Sequence, residues 1–172
     1  MQMSDSREIN ATPDVVWAAI LDPEVLKSCV PGCTEMSGNA VDGFEAVVVQ
    51  KVGPVKATFK GKVTLSDLVE PQSLHLSGEG KGGAAGFAKG GADVRLEPTE
   101  TGTLLHYDVE AKVGGKLAQL GSRIVDGFAK KMADQFFTNF QEAIEGPSED
   151  AADEASADGS EEKKGWIKRI VS

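Results

Sequence analysis

The stretch from Gly114 to Ile144 constrains this chain more than any other. Apolar residues recur there at Leu117, Leu120, Ile124, Phe128, Met132, Phe136, Phe140 and Ile144. Steps of three and then four residues are the repeat of one face of an α-helix. Ala118, Gly121, Val125, Ala129, Ala133 and Phe137 widen that stripe. Lys116, Arg123, Asp126, Lys130, Asp134 and Gln141 fall mostly on the opposite arc. No proline interrupts the run, and Gly146-Pro147 ends it. A helix with so broad an apolar face needs a large cover. Only a sheet written upstream can supply it, so an α+β domain is expected, with a curved antiparallel sheet gripping one long C-terminal helix.

The upstream sequence carries that sheet. Val55, Ala57, Phe59, Val63 and Leu65 alternate with Lys56, Thr58, Lys60, Lys62 and Thr64, the period of a strand with one dry and one wet face. Phe44 to Val52 reads as the strand before it, with Gly53-Pro54 as the turn. The alternation returns around Leu74 and Leu76, from Ala92 to Glu97, and from Leu105 to Val113. Successive strands with short turns make an antiparallel meander. Before it, Arg7 to Asn10 reads as a short strand. Thr12-Pro13 and Asp22-Pro23 each place a capping residue before a proline, so two short helices are expected. Cys29-Val-Pro-Gly-Cys33 reads as a tight turn.

Charge and composition narrow the function. The chain has 172 residues, enough for one domain with a real core, and a formal charge of −9. That balance argues against nucleic acid, whose phosphates need a basic surface. The first ten residues lack the basic start and apolar core of a signal peptide, and no apolar run is long enough to span a membrane. A cytoplasmic protein with reduced Cys29 and Cys33 is expected. Those cysteines lack a second Cys or His pair, so a structural turn is the expected reading over a metal site. His75 and His106 alternate with apolar neighbours and belong on the wet face as plain surface residues. No nucleophile pattern accompanies them, so no catalytic residue is assigned.

A lane of small residues holds the candidate site. Gly78, Gly80, Gly82, Ala84, Gly86, Ala88, Gly90 and Ala92 occupy every second position and, by extrapolation from Leu76 and Val94, point towards the helix. Two readings stand. Either the glycines leave a void that a ligand fills, lined by Phe59, Leu76, Gly78, Gly80, Tyr107, Phe128 and Met132, or they serve strand bending and close packing. The segment Gly83 to Gly90 lacks strand-forming bulk and reads as a flap, with Phe87 as its one sticky residue and a further ligand contact.

Beyond Gly146 the composition changes. Residues 1–146 form the domain, 147–162 an acidic linker without apolar periodicity, expected to be disordered, and 163–172 a basic amphipathic segment. If helical, that segment places Trp166, Ile167, Ile170 and Val171 on one face, with Lys163, Lys164, Lys168 and Arg169 around its flanks and far side. Such a segment suits the headgroup level of an anionic membrane; docking on a protein partner is the other reading.

Three stretches also resemble a known family. They are Asp22-Pro-Glu-Val-Leu-Lys-Ser-Cys-Val-Pro-Gly-Cys33, Val52-Gly-Pro-Val-Lys-Ala-Thr-Phe-Lys-Gly-Lys-Val63 and Gly115-Lys-Leu-Ala-Gln-Leu-Gly-Ser-Arg123. In this order they resemble the carbon monoxide dehydrogenase G-subunit family of the helix-grip (START-like, SRPBCC) superfamily, over Gln2 to about Gly146. The resemblance implies a cavity between sheet and helix, and an accessory role beside a molybdenum hydroxylase such as aerobic carbon monoxide dehydrogenase. Such enzymes pass electrons to the respiratory chain, so a quinone is the expected carried ligand, with no covalently bound cofactor. Peripheral attachment to the inner face of the cell membrane completes that expectation. A maturation or membrane-recruitment factor without a functional ligand is the alternative. The same superfamily includes enzymes, so the fold alone does not decide.

Overall fold

A computed structural model of the chain describes residues 1–146. The linker at 147–162 and the basic segment at 163–172 lie outside the described residues. The chain divides into a unit from Met1 to Phe140 and a second that begins at Gln141. Of the second, the described part is the end of a helix and Gly146, whose N–H donates to the Glu142 carbonyl at 2.8 Å. Gly146 has φ +85°, the left-handed value with which glycine ends helices.

The sheet has seven strands, β1 (Gln2–Ile9), β2 (Cys33–Asn39), β3 (Gly43–Val52), β4 (Val55–Val69), β5 (Ser73–Lys81), β6 (Phe87–Pro98) and β7 (Thr103–Gly114). All neighbours are antiparallel, in the order β1-β7-β6-β5-β4-β3-β2. β2 to β7 thus form a simple meander, and the first strand closes on the last. β1 is longer than its sequence suggested, because Met3 is the only apolar residue of its first half to mark an inward face. β2 went unseen in the sequence for a related reason. Only Cys33 and Met36 of that strand are even half-buried, so it lacks a dry alternation.

Helices α1 (Pro13–Ile20) and α2 (Pro23–Cys29) follow β1. Asp22 caps α2, its carboxylate accepting from the Glu24 N–H at 2.9 Å. Thr12 occupies the equivalent position of α1 but makes no side-chain cap bond; Pro13, with its preset φ, is what starts that helix. The long C-terminal run is not one helix. It breaks at Gly121 (φ +90°) into a single turn, α3 (Lys116–Gln119), and α4 (Ser122–Glu145). The break lets Leu117 enter the core from its own direction.

In-register rows of inward residues identify the dry face: Leu65, Leu76, Ala92 and Val109 stand side by side across β4 to β7. Tyr107 of that face stacks on Phe137 of α4, with ring centroids 4.8 Å apart. The α4 stripe therefore meets this face. Packing is dense at one end only. Ile9, Val16, Leu105 and Phe140 are completely buried, and Trp17, Leu74, Val94, Leu96 and Phe137 nearly so. Polar groups caught there are satisfied. The Thr103 hydroxyl donates to the Ala11 carbonyl (2.7 Å), and the Asn139 amide to the Cys29 carbonyl (2.9 Å). Arg7 reaches Asp134 of α4 at 3.3 Å and lies over the Phe137 ring.

The burial pattern centres the helix grip on Phe137 and Phe140, not on Phe128 midway along the stripe. Phe140→Ala should cost about 3–5 kcal/mol, since it empties a fully buried site. Phe128 is only half-buried, and Phe128→Ala should cost less than half as much. Denaturant unfolding of the two variants checks the ranking; equal losses would show α4 packed evenly along its length.

Candidate ligand-binding site

The other end of the sheet–helix layer is loose. Val63 and Phe59 of β4, Gly78 and Gly80 of β5, Ala88 and Gly90 of β6, and Ala111 and Val113 of β7 all face inward, and none is fully buried. On α4, Phe128 and Met132 lie one turn apart and are also half-buried. The cause is side-chain size. Where the sheet presents Leu74, Val94 and Tyr107, aromatic side chains of α4 close on it. Where it presents glycine and alanine, nothing reaches across. The start of α4 is propped separately: a Cβ built on Gly53, in the β3–β4 turn, would meet Ile124 at 3.6 Å and Leu120 at 4.0 Å. The half-buried apolar stretch between the propped end and the packed end is the candidate trough.

Each glycine can be assigned to one of the two sequence readings. A Cβ on Gly80 would meet nothing within 4 Å, so this position borders open space. A Cβ on Gly78 would touch Val63 at 3.3 Å, a tight but tolerable neighbour. Gly90 is different: its Cβ would fall on the Glu110 carbonyl oxygen and Ala111, so glycine there allows β6 and β7 to approach closely. Gly82 is covered by the Phe59 ring. The glycine at position 80 makes room, and the one at position 90 makes curvature.

Phe59, Leu76, Gly78 and Gly80 share the inward face of β4 and β5, and Phe128 and Met132 are half-buried on α4. Tyr107 lies at the packed end, only 5% exposed against Phe137, and forms the floor rather than the lining. Burial pushes its hydroxyl pKa up; the carboxylates of Asp5 and Asp134 push the same way, and Arg7 opposes them. Phe87 does not belong to the site. Strand β6 already begins there, after a single 3₁₀ turn at Gly83–Ala85, so the second half of the expected flap at Gly83 to Gly90 is paired strand. The parity of β6 turns Phe87 to the outer face, where its ring lies over Gly114. Sequence reasoning also left out Ala111 and Val113, although the alternation marked them. Nor did it place charge on the inner side, where β1 carries Asp5 and Arg7, because that strand was read as starting at Arg7.

Chemistry is sparse around the trough. His75 and His106 stand on the outer face, paired to Asp93 (2.7 Å) and Glu97 (3.0 Å). Cys29 and Cys33 are free thiols. Burial raises the pKa of Cys29, and its contact with Ser28 acts weakly the other way. Among the described residues no group of three or more His, Cys, Asp or Glu is placed to hold a metal, and no helix is long and apolar enough to cross a membrane. A hollow of about 1270 Å³ lies on the outer face among Lys62, His75, Glu79, Asp93, Asp108 and Lys112. Its charged lining and open mouth give an apolar ligand little to bind, so the trough is the better site.

A curved antiparallel sheet closed over a C-terminal helix, with an apolar space between them, defines the helix-grip class of proteins. Solved structures share the fold. A conserved protein from Geobacillus kaustophilus is similar at TM-score 0.78 and 30% identity, over 84% of this chain and 95% of that one. A START superfamily protein from Mycobacterium smegmatis aligns at TM-score 0.63 and 14% identity, over 84% and 97% of the two chains, and shows the fold alone. The family is defined in sequence: residues 6–145 match the profile of the carbon monoxide dehydrogenase G subunit (CoxG), and the chain belongs to that family. No curated protein matches it.

The contrast between the two glycines is measurable. Gly90→Ala should destabilise the domain by about 1–3 kcal/mol, since the methyl group meets backbone that cannot yield. Gly80→Leu should change stability by less than about 1 kcal/mol, having open space to fill. Thermal and denaturant melts test this, and a Gly80→Leu variant as unstable as Gly90→Ala would mean that the trough is closed.

Proposed function

We propose that this chain is a non-enzymatic accessory protein of a molybdenum hydroxylase such as aerobic carbon monoxide dehydrogenase. It carries a small apolar ligand, a quinone in our reading, between the sheet and α4, and links the enzyme to the inner face of the membrane. The observation that carries the reading is the half-empty layer, in which an apolar stripe of α4 faces a lane of glycine and alanine. Apolar walls left unfilled forfeit contact energy that a ligand restores. Each methylene of a quinone tail taken out of water contributes about 0.8 kcal/mol, and a few isoprenoid units suffice for micromolar affinity. Family membership supplies the partner class, since the family takes its name from carbon monoxide dehydrogenase.

Membrane attachment is assigned to the basic segment. Each of Lys163, Lys164, Lys168 and Arg169 near an anionic surface contributes about 1 kcal/mol, and burial of Trp166, Ile167 and Ile170 adds to it. Ordering a short free peptide subtracts from that sum, so attachment is weak and reversible.

Organic extraction and mass spectrometry of protein from its native host should recover a quinone or another isoprenoid lipid. Added quinone should raise the melting temperature of the natural chain and leave that of Gly80→Leu unchanged. If nothing co-purifies and quinone shifts neither melt, the carrier reading fails and a recruitment or maturation factor replaces it.

Sedimentation with phosphatidylserine-rich vesicles tests the tail. Trp166→Ala with Ile170→Ala should weaken pelleting at low salt by about tenfold or more, while undiminished pelleting would show that the tail's apolar face plays no part.

A further inference from the structure

The outer face of the sheet carries a charge pattern that the net charge hides. At the end bearing the β3–β4 and β5–β6 turns, three pairs of lysines stand directly opposite each other across neighbouring strands. These are Lys51 with Lys56, Lys60 with Lys81, and Lys89 with Lys112. All six are exposed, and none forms an ion pair among the described residues. Like charges placed directly opposite destabilise a sheet. Three such pairs in a chain of charge −9 are the reverse of what self-stabilisation would favour. The local acids do not cancel them. Glu79 stands opposite both Lys62 and Lys89, and Glu45 opposes Lys62, but neither acid forms an ion pair with these lysines among the described residues. The acids of this face gather further along, at Asp93, Asp108 and Glu110.

An apolar side chain stands inside the lysine cluster. Phe87 continues the cross-strand row of Lys60 and Lys81, with Lys89 two residues on along the same face, and it is 47% exposed. The composition points to the kind of partner. Protein interfaces favour arginine and are depleted in lysine, and here every cluster cation is lysine. Anionic lipid headgroups need only compact positive charge near the surface, which lysine supplies on a long stem. The cluster reaches from β3 to β7, roughly 20 Å at the spacing of paired strands, a width that meets several headgroups at once.

We propose that this lysine face, with Phe87 as its apolar contact, is a second membrane-docking surface, carried by the folded domain itself and independent of the basic C-terminal segment. It turns the end of the domain with the glycine lane and the β5–β6 turn towards an anionic bilayer, and the acidic end away from it.

The test uses the full chain with the tail disabled by Lys163→Gln, Lys164→Gln, Lys168→Gln, Arg169→Gln, Trp166→Ala and Ile170→Ala. This protein should still sediment at low salt with phosphatidylserine-rich vesicles and not with pure phosphatidylcholine. Adding Lys60→Glu, Lys81→Glu, Lys89→Glu and Lys112→Glu should weaken that binding by about 100-fold or more, at roughly fivefold per lysine. The melting temperature would confirm that the variant is folded. In a separate variant, Phe87→Trp in the tail-disabled chain should show a blue-shifted emission on adding the anionic vesicles, measured against the same chain without that substitution. The proposal is overturned if the tail-disabled chain stays in the supernatant with anionic vesicles, or if folded charge-reversed protein binds as well as its parent. An unshifted emission from the Phe87→Trp variant overturns the role given to Phe87. The first of these results would leave the lysines to an acidic protein surface.

Discussion

The stacking of Phe137 on Tyr107, with Phe140 sealed behind it, is the contact on which the rest of the domain depends. It fixes one end of α4 against the floor of the sheet and brings Arg7 to Asp134 from the edge strand. A helix anchored at one end and propped at the other by the Gly53 turn cannot fall into the space between. That space persists because aromatic rings at Phe137 and Phe140 set the distance between the layers, and the small residues further along the sheet are too short to span it. Dense packing at one end thus gives way to half-buried small residues at the other.

Glycine has opposite effects along the same lane. At Gly90 it removes a methyl group that would strike the backbone of β7, which lets the strands close up and curve. At Gly80 it leaves a wall bare. The first creates the grip and the second creates room inside it. A carrier needs both, since a flat sheet would not enclose a ligand and a well-filled curved one would have no place for it. Against this, the outer face is built from charge, and its lysine pairs are set where the inward lane is thinnest.

Much of this was legible in the residues themselves. Strand alternation gave the dry faces of β4 to β7, proline placement gave the starts of α1 and α2, and the apolar stripe gave α4. These signals are local: each element must present one face to the core, and the chain records that need at periods of 2 and 3.6. The family motifs agreed with them. The candidate lining followed from the same periodicity, so Phe59, Leu76, Gly78 and Gly80 share one wall as expected. Phe87 was misplaced because the lack of strand-forming bulk from Gly83 to Gly90 reads as a flap, whereas β6 begins at Phe87 and turns it outward.

What the tertiary structure alone decided are relations between distant segments. Whether a glycine marks a void or a close approach depends on what lies opposite, and Gly80 and Gly90 are indistinguishable in one dimension. The break at Gly121 and the burial of Phe140 over Phe128 depend on how α3 and α4 settle on the sheet. β1 and β2 are edge strands whose pairing partners, not their own patterns, make them strands. Net charge belongs to the sequence, but its separation into a lysine end and an acidic end appears only when antiparallel register sets Lys60 beside Lys81 and Asp93 beside Asp108. Composition and period are properties of the chain; opposition across a strand or a layer is a property of the fold.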